Sequence, residues 1–375
     1  MRHILIWVYL VLVLGFLNQL CAQNVFFEEP IDFEIRIEVG SSIDAGSLIQ
    51  DDDYLYFLNN SNKSSHIIIV DKTNWKQIDK IELQRQGPNV INNPIGVFLF
   101  KGELAVYEFY TEGIKIIGND GQILNTIKSK LESSSKNSTL IINTNPIQTL
   151  NETIILPNLG AADFKTKKID YSEPILKIID VTKGEISTLG SYPASYLKPL
   201  SGGLQSFFSL TSFNNKIVIS FPLDHNLYEY NGEFLKEVTI QSTVFDSFDG
   251  HFFSSFGQIT KANSQEFRQK FWANHSYWNV IHDPYKRVIY RVVNLPIKNV
   301  NSLKNTAQEK DHRKYQILVY DQDYNYLGKS NELSGLDLSY QSGKAFVSNQ
   351  GLHVFKSVQD NEDAMQFKTL IYQGN

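Results

Sequence analysis

Cysteine is almost missing from this 375-residue chain. The single Cys21 leaves no disulfide framework, no cysteine-based metal site and no thiol redox pair. Charge of one sign is missing too: 35 basic against 40 acidic residues give a net charge of −5, without the basic footprint that nucleic acid requires. Beyond the first residues, no apolar run approaches the ~18 positions that would make a membrane-spanning helix. Helical spacing is scarce. There is no phosphate-cradling glycine-rich loop, no His-Glu-x-x-His helix and no Gly-x-Ser-x-Gly elbow. His66, His225, His251, His275, His282, His312 and His353 never fall at metal-ligand spacing. What the chain has in abundance is aromatic side chains, with 24 Phe, 19 Tyr and 4 Trp to fill a large core.

The N-terminus reads as an address. Arg2 and His3 precede the apolar run Ile4–Leu17, and the small Ala22 precedes a polar start. That is the pattern of a secretory signal peptide over residues 1–22, followed by one domain over 23–375. Cys21 offers lipid anchoring as the alternative, although the large Leu20 sits where lipoprotein processing prefers a small residue.

The rest is a succession of short strands bounded by turn residues. Hairpins are expected at Ile67–Trp75, at Ile114–Leu124 across Asn119-Asp120-Gly121, at Leu227–Leu235 across Asn231-Gly232 and at Ile317–Leu327 across Asp321-Gln322-Asp323. A fifth runs from Ile175–Asp180 through Lys183-Gly184 into Glu185–Leu189. Two further strands precede each hairpin, among them Thr139–Asn143 before the Ile175 hairpin and Gln205–Leu210 before the Leu227 hairpin. A last group, Ala345–Ser348, Leu352–Ser357 and Gln366–Tyr372, is one strand short, and Phe33–Val39 is one strand to spare. The expected fold is all-β: a six-bladed β-propeller closed by the N-terminal strand completing the last blade. A β-sandwich is the alternative.

Two stretches carry a resemblance. Arg85-Gln86-Gly87-Pro88-Asn89-Val90 and His282-Asp283-Pro284-Tyr285-Lys286-Arg287-Val288-Ile289-Tyr290-Arg291, together with the leader, resemble an uncharacterised bacterial family of secreted or lipid-anchored six-bladed β-propellers, broadly TolB-like. The resemblance implies a propeller at the cell envelope (periplasm or outer-membrane surface) and implies no catalytic residues. Gly87, Pro88 and Asp283 read as turn formers. Arg291 interrupts an apolar strand, so it is expected to be partly buried, where a guanidinium needs a carboxylate or several carbonyls, and to lock two blades by pairing with an acidic residue such as Glu229 or Asp283.

In a propeller, turns after the first and third strand of each blade fall on one rim, and the other connections fall on the opposite rim. The first set is short here, for example Asp51-Asp52-Asp53, Lys101-Gly102 and Asn349–Gly351; the second holds Arg85–Pro94, Asn158–Pro174, Gly190–Gly203, Ser242–Ser276 and Asn294–Arg313. Function gathers on long loops held by a rigid scaffold. Asp224, His225, His251, Arg268 and Trp272 are the expected ligand-binding residues at that rim, with the Phe-rich Ser242–Ser276 insertion as lid or platform. The expectation is therefore a non-catalytic protein binding an unidentified protein, peptide or carbohydrate, with no cofactor and no assigned metal ligands. The alternative is a metal-assisted hydrolase or lyase centred in the channel.

Overall fold

The computed structural model describes residues 26–37, 45–60, 64–109, 111, 113–128, 146–158, 162–163, 168–169, 171–197, 207–240, 272–298, 312–338, 344–359, 361 and 364–374. These residues form a structure built almost entirely of strands, with a 3-10 turn at Ala194–Leu197. Its unit is a four-stranded antiparallel sheet taken in chain order. The first unit runs Ala45–Gln50, Tyr54–Asn60, Ser65–Asp71 and Lys76–Leu83; the second runs Pro94–Phe100, Glu103–Glu108, Gly113–Ile117 and Ile123–Lys128. The third is Gln148–Leu150, Thr153–Pro157, Leu176–Asp180 and Glu185–Leu189, with a two-stranded hairpin (Ala162–Asp163, Lys168–Ile169) in its middle connection. Ser209–Phe213, Lys216–Ser220, Leu227–Tyr230 and Leu235–Val238 make the fourth. Ser276–Asp283, Val288–Asn294, Lys314–Asp321 and Tyr326–Lys329 make the fifth, with Leu333–Ser334 also paired to its third strand.

The last three strands of the chain close on its beginning. Ala345–Ser348, Gly351–Phe355 and Ala364–Leu370 are completed by Ile31–Arg36, which pairs with Ala364–Leu370 in antiparallel register from Ile31↔Thr369 to Arg36↔Ala364. Phe33 drives this pairing: its ring packs 4.8 Å from Trp75, 4.5 Å from His353 and 6.1 Å from Phe367. A single parallel bridge, Arg36↔Lys76, then ties this closing unit to the first in one eight-stranded sheet.

Innermost strands neighbour one another in a ring. Ala45–Gln50 lies beside Pro94–Phe100, followed by Gln148–Leu150, Ser209–Phe213, Ser276–Asp283, Ala345–Ser348 and again Ala45–Gln50. The core is correspondingly a set of layers between adjacent sheets. One joins Leu58, Ile67 and Ile81 to Val97, Val106 and Ile117, and another joins Leu55, Phe57 and Val70 back to Ile35, Phe355 and Phe367. Each fully buried side chain of this size contributes about 1.5–3 kcal/mol. Because both faces of every sheet are covered, middle strands such as Leu227–Tyr230 are buried throughout, while outer strands such as Ile123–Lys128 are mostly exposed. The arrangement is β-propeller-like.

Two strand expectations shift. Thr139–Asn143 lies outside the described residues, and the inner strand of the third unit is Gln148–Leu150, which pairs with Thr153–Pro157. In the fourth unit the inner strand is Ser209–Phe213, not Gln205–Leu210, because the Asn214-Asn215 pair, both at positive φ, makes the turn into Lys216. The expected turns are otherwise in place. Gly121, at φ 77°, passes so close to the first unit that a Cβ would stand 2.6 Å from the Glu82 carbonyl oxygen.

Candidate ligand site in the central channel

The ring of inner strands encloses a cavity of about 270 Å³. Its wall is built from Leu48–Gln50, Phe98, Thr149, Ser209–Ser212, Asn279–His282 and Ala345–Val347. An innermost strand has one edge without a sheet partner, and hydroxyls from the neighbouring strand cover it. Ser209 Oγ accepts from the Val280 N–H at 2.9 Å, Thr211 Oγ1 from the His282 N–H at 3.3 Å, and Ser47 Oγ from the Val97 N–H at 3.4 Å.

Two side-chain amide oxygens in this wall have no hydrogen-bond partner. Pairing of the fifth unit's first two strands shifts register between Tyr277 and Val280, a bulge that re-aims Trp278 and Asn279. Asn279 is 4% exposed, and its Oδ1 accepts no hydrogen bond. The half-buried Gln50, on the first unit, has its Oε1 in the same condition. His282 completes the polar wall: its ring lies tilted against Phe213 at 5.1 Å, and burial pushes its imidazole below the ordinary value against a smaller upward pull from Asp283.

At the short-connection rim, turns of the first and fifth units approach each other. Lys72 of the first unit donates to the Asp51 carbonyl at 2.8 Å and approaches the Tyr285 hydroxyl of the fifth unit at 3.5 Å. Burial lowers the Lys72 pKa, opposed by the attraction of Asp51, Asp52 and Asp53.

The residues expected at the opposite rim fall into different places. His251 and Arg268 lie outside the described residues, as does the Phe-rich insertion up to residue 271. Trp272 is core: it is 5% exposed, packs edge-on against Trp278 at 5.8 Å, and lies under the Arg313 guanidinium at 4.2 Å. Asp224 accepts from Ser195 Oγ at 2.7 Å and the Asn226 N–H at 2.8 Å, so its carboxylate pins the 3-10 turn and its own loop. His225 Nδ1 sits 3.0 Å from the Tyr277 hydroxyl, whose pKa burial raises to about 12.

Arg291 organises that loop. Fully buried, it donates to Ser220 Oγ at 2.9 Å and to the carbonyls of His225 at 2.5 Å and Asp224 at 2.7 Å, and its guanidinium lies 3.4 Å from the Tyr277 ring centroid. The acidic partners expected for it are engaged elsewhere. Glu229 takes Lys216 at 2.8 Å, and Asp283 accepts from Tyr290 and from the N–H groups of Tyr285 and Lys286. Carbonyls suffice because the Phe221–Asn226 turn presents several to one planar donor fork. Asp283 thus closes the turn through Pro284, while Gly87, at φ 95°, turns the chain into Pro88 ahead of an Ile91 N–H bond to the Gln84 carbonyl.

One constellation imitates catalysis. Ser348 Oγ lies 2.7 Å from His353 Nε2, and Thr369 Oγ1 lies 2.9 Å from Nδ1. His353 is fully buried, stacks on Phe346 at 4.5 Å, and burial pushes its pKa down to about 3. It is a neutral core histidine bonded on both sides and sealed from substrate. Among the described residues, no three His, Cys, Asp or Glu side chains converge to hold a metal ion.

Gln50 and Asn279 are the site residues that sequence reasoning missed. The signal for Asn279 was present: it is the one amide inside the apolar run Tyr277–Ile281. Nothing distinguished Gln50 from an ordinary residue before a turn.

Comparison with known proteins supplies the family. The family model for a domain of unknown function, DUF4221, matches residues 33–331. Among solved structures, a DUF4221 member from Bacteroides vulgatus aligns over 94% of this chain and 100% of its own, at 17% identity and a TM-score of 0.74. A candidate exported protein from Bacteroides fragilis aligns over 92% and 95%, at 11% identity and a TM-score of 0.55. At these identities the likeness concerns the fold. No curated protein sequence matches. No helix among the described residues is long and apolar enough to cross a membrane.

Proposed function

The chain belongs to the DUF4221 family, and we propose that it is a non-catalytic binding protein of the cell envelope. It is a single six-bladed propeller, broadly TolB-like, over residues 23–375. It takes a small ligand into its central channel from the long-loop rim. Support for six blades comes from the inner strands that follow one another around the cavity. Support for export comes from the leader pattern of residues 1–22. Asp224 and His225 belong to the rim loop through which the ligand passes, and Arg291 holds that loop in shape from the next blade.

A single observation carries the binding reading. Asn279, nine-tenths buried at a bulge, stands in the wall of the cavity with an amide oxygen that has no hydrogen-bond partner. Leaving such a group unpaired costs about 1–3 kcal/mol, a cost that packing alone does not explain in this stretch of the wall. Lys72 and the Tyr285 hydroxyl approach to 3.5 Å at the short-connection rim, which favours entry from the long-loop rim.

The test is an amide NMR spectrum of the isotope-labelled mature protein titrated with a small-molecule extract of the producing cells' envelope. Shifts should concentrate at Leu48–Gln50, Ser209–Ser212 and Asn279–His282, and filling the channel with Ala345→Trp should abolish them. Shifts confined to the outer strands would refute the proposal.

A further inference from the structure

A cavity of about 530 Å³ lies on the outside of the ring, where the end of the fifth unit meets the closing unit. That volume falls within the ~300–1,000 Å³ of ligand-sized clefts. One wall is the lead-in to the closing strand, Phe27–Pro30, and the other is Ser330–Ser334. The cleft is reachable from solvent: Glu28, Glu29, Asn331, Glu332 and Ser334 are exposed, and Phe27, Pro30 and Leu333 are half-buried. The second wall is an edge strand interrupted by a bulge. Lys329 pairs with Leu318 and Leu333 with Tyr315, so the three residues Ser330–Glu332 stand opposite the two residues Gln316 and Ile317. Ser330 is fixed to the sheet, its N–H donating to the Ile317 carbonyl at 2.8 Å and its Oγ accepting from the Ile317 N–H at 2.9 Å. The bulge therefore falls at Asn331 and Glu332, on the cleft. Pairing resumes at Leu333–Ser334, whose ladder partners among the described residues lie on one side alone. Successive residues of a strand point their N–H and C=O groups to opposite edges, so one of these two offers both groups outward.

Three carboxylates and one ammonium line the cleft, and their present partners leave an excess of negative charge. Lys368 is held by Asp32 at 2.9 Å, and Glu332 by Lys314 at 2.7 Å. Glu28 accepts from the neutral Gln373 amide, and Glu29 takes no cation among the described residues. Phe27, Leu333 and Leu336 supply apolar surface beside these charges.

We propose that this cleft is a docking site for an extended, basic segment of a partner protein. Its backbone adds to the open edge at Leu333–Ser334, a Lys or Arg side chain reaches Glu28 and Glu29, and its apolar side chains pack on Phe27 and Leu333. In strand addition, main-chain bonds supply affinity and alternate side-chain positions supply specificity. An acidic segment brings like charge to two carboxylates that have no cation of their own. The cleft and the central channel share no lining residue, so the two sites stand or fall separately.

The experiment is selection of a display library of random heptapeptides on the mature protein and, in parallel, on Ser334→Trp, which fills the cleft from an exposed position. Calorimetry then uses the selected sequences as synthetic probes. Peptides enriched on the wild type alone should carry Lys or Arg among alternating apolar residues and bind at about 1 mM or below. Glu29→Lys, also at an exposed position, should weaken them about tenfold, ~1.4 kcal/mol, and added salt should weaken them further. Methylation of the peptide's backbone nitrogens should also cost about tenfold or more. If Ser334→Trp does not fold, Glu29→Lys serves as the parallel target. Enrichment of acidic or uncharged sequences would overturn the ligand class. Methylated peptides that bind as well as their parents would overturn the strand pairing. A library in which no sequence separates the wild type from the variant would overturn the site. Dimerisation of the mature protein that Ser334→Trp abolishes would give the cleft to a second copy, and arginine amide that binds as tightly as the peptides would give it to a small cation; either overturns the proposal.

Discussion

Arg291→Met removes a charged donor from the cup formed by Ser220, Asp224 and His225 and leaves the hydrophobic stem. Three bonds of 2.5–2.9 Å are lost, along with a guanidinium stacked at 3.4 Å on Tyr277. Each bond to a charged group contributes about 1.5–3 kcal/mol, and the stacking adds roughly 0.5–2 kcal/mol. Relief of the buried charge's desolvation offsets part of that sum. The net expectation is about 3–5 kcal/mol of destabilisation, because the His225 and Asp224 carbonyls and the Ser220 hydroxyl lose their donor at about 1–3 kcal/mol each. For a protein larger than 250 residues, about 2–4 °C per kcal/mol or less places the melting temperature roughly 5–15 °C lower. Arg291→Lys should recover a minority of the loss, because an ammonium cannot reach the spread acceptors as a fork or stack in the same way. Chemical denaturation of wild type and both variants, followed by tryptophan fluorescence, measures the series. A methionine variant within about 1 kcal/mol of wild type would refute the view that this side chain ties the fourth and fifth units together.

Four further outcomes are expected. The His353 pKa is depressed to about 3 when folded, so the unfolded chain takes up the proton first. Its contribution is complete above pH ~6.5 and falls toward pH 3 by up to ~1.4 kcal/mol per unit, a slope that urea titrations between pH 7.5 and 5 should find reduced in His353→Gln. Deleting residues 23–37 leaves Ala364–Leu370 with an open edge and should produce aggregation on size-exclusion chromatography; a monomer with unchanged melting would contradict closure. Gly121→Ala combines a left-handed φ with a 2.6 Å approach to the Glu82 carbonyl oxygen and should cost about 1–3 kcal/mol by denaturant midpoint. Intact mass of the exported protein should correspond to a chain beginning at Gln23, and a lipid-modified Cys21 would sink that assignment.

The strand order was legible because each hairpin carries its own local chemistry. Asn231 Oδ1 accepts from the Glu233 and Phe234 N–H groups, and Asp321 Oδ1 accepts from those of Asp323 and Asn325, so these turns form whatever surrounds them. Inner strands were less legible. Gln148–Leu150 is three residues long and pairs on one side only, which leaves little pattern to detect. The buried state of Arg291 could be read from its apolar neighbours, but its partners could not, because backbone carbonyls carry no sequence signature. Trp272 failed as a rim residue for a related reason: an aromatic beside a long insertion looks the same whether it caps the core or faces solvent. The channel amides depend on which residues meet across a ring closed by segments more than 300 positions apart, as Ile31 meets Thr369, and no local spacing records that.

Amide hydrogen exchange on the intact mature protein tests the closure most directly. The sheet-facing amides of Ile31–Arg36 should exchange as slowly as their partners in Ala364–Leu370 and lose protection together with them in denaturant. Exchange of Ile31–Arg36 at the rate of an unfolded chain, while Ala364–Leu370 stays protected, would contradict a ring completed by its own N-terminal strand.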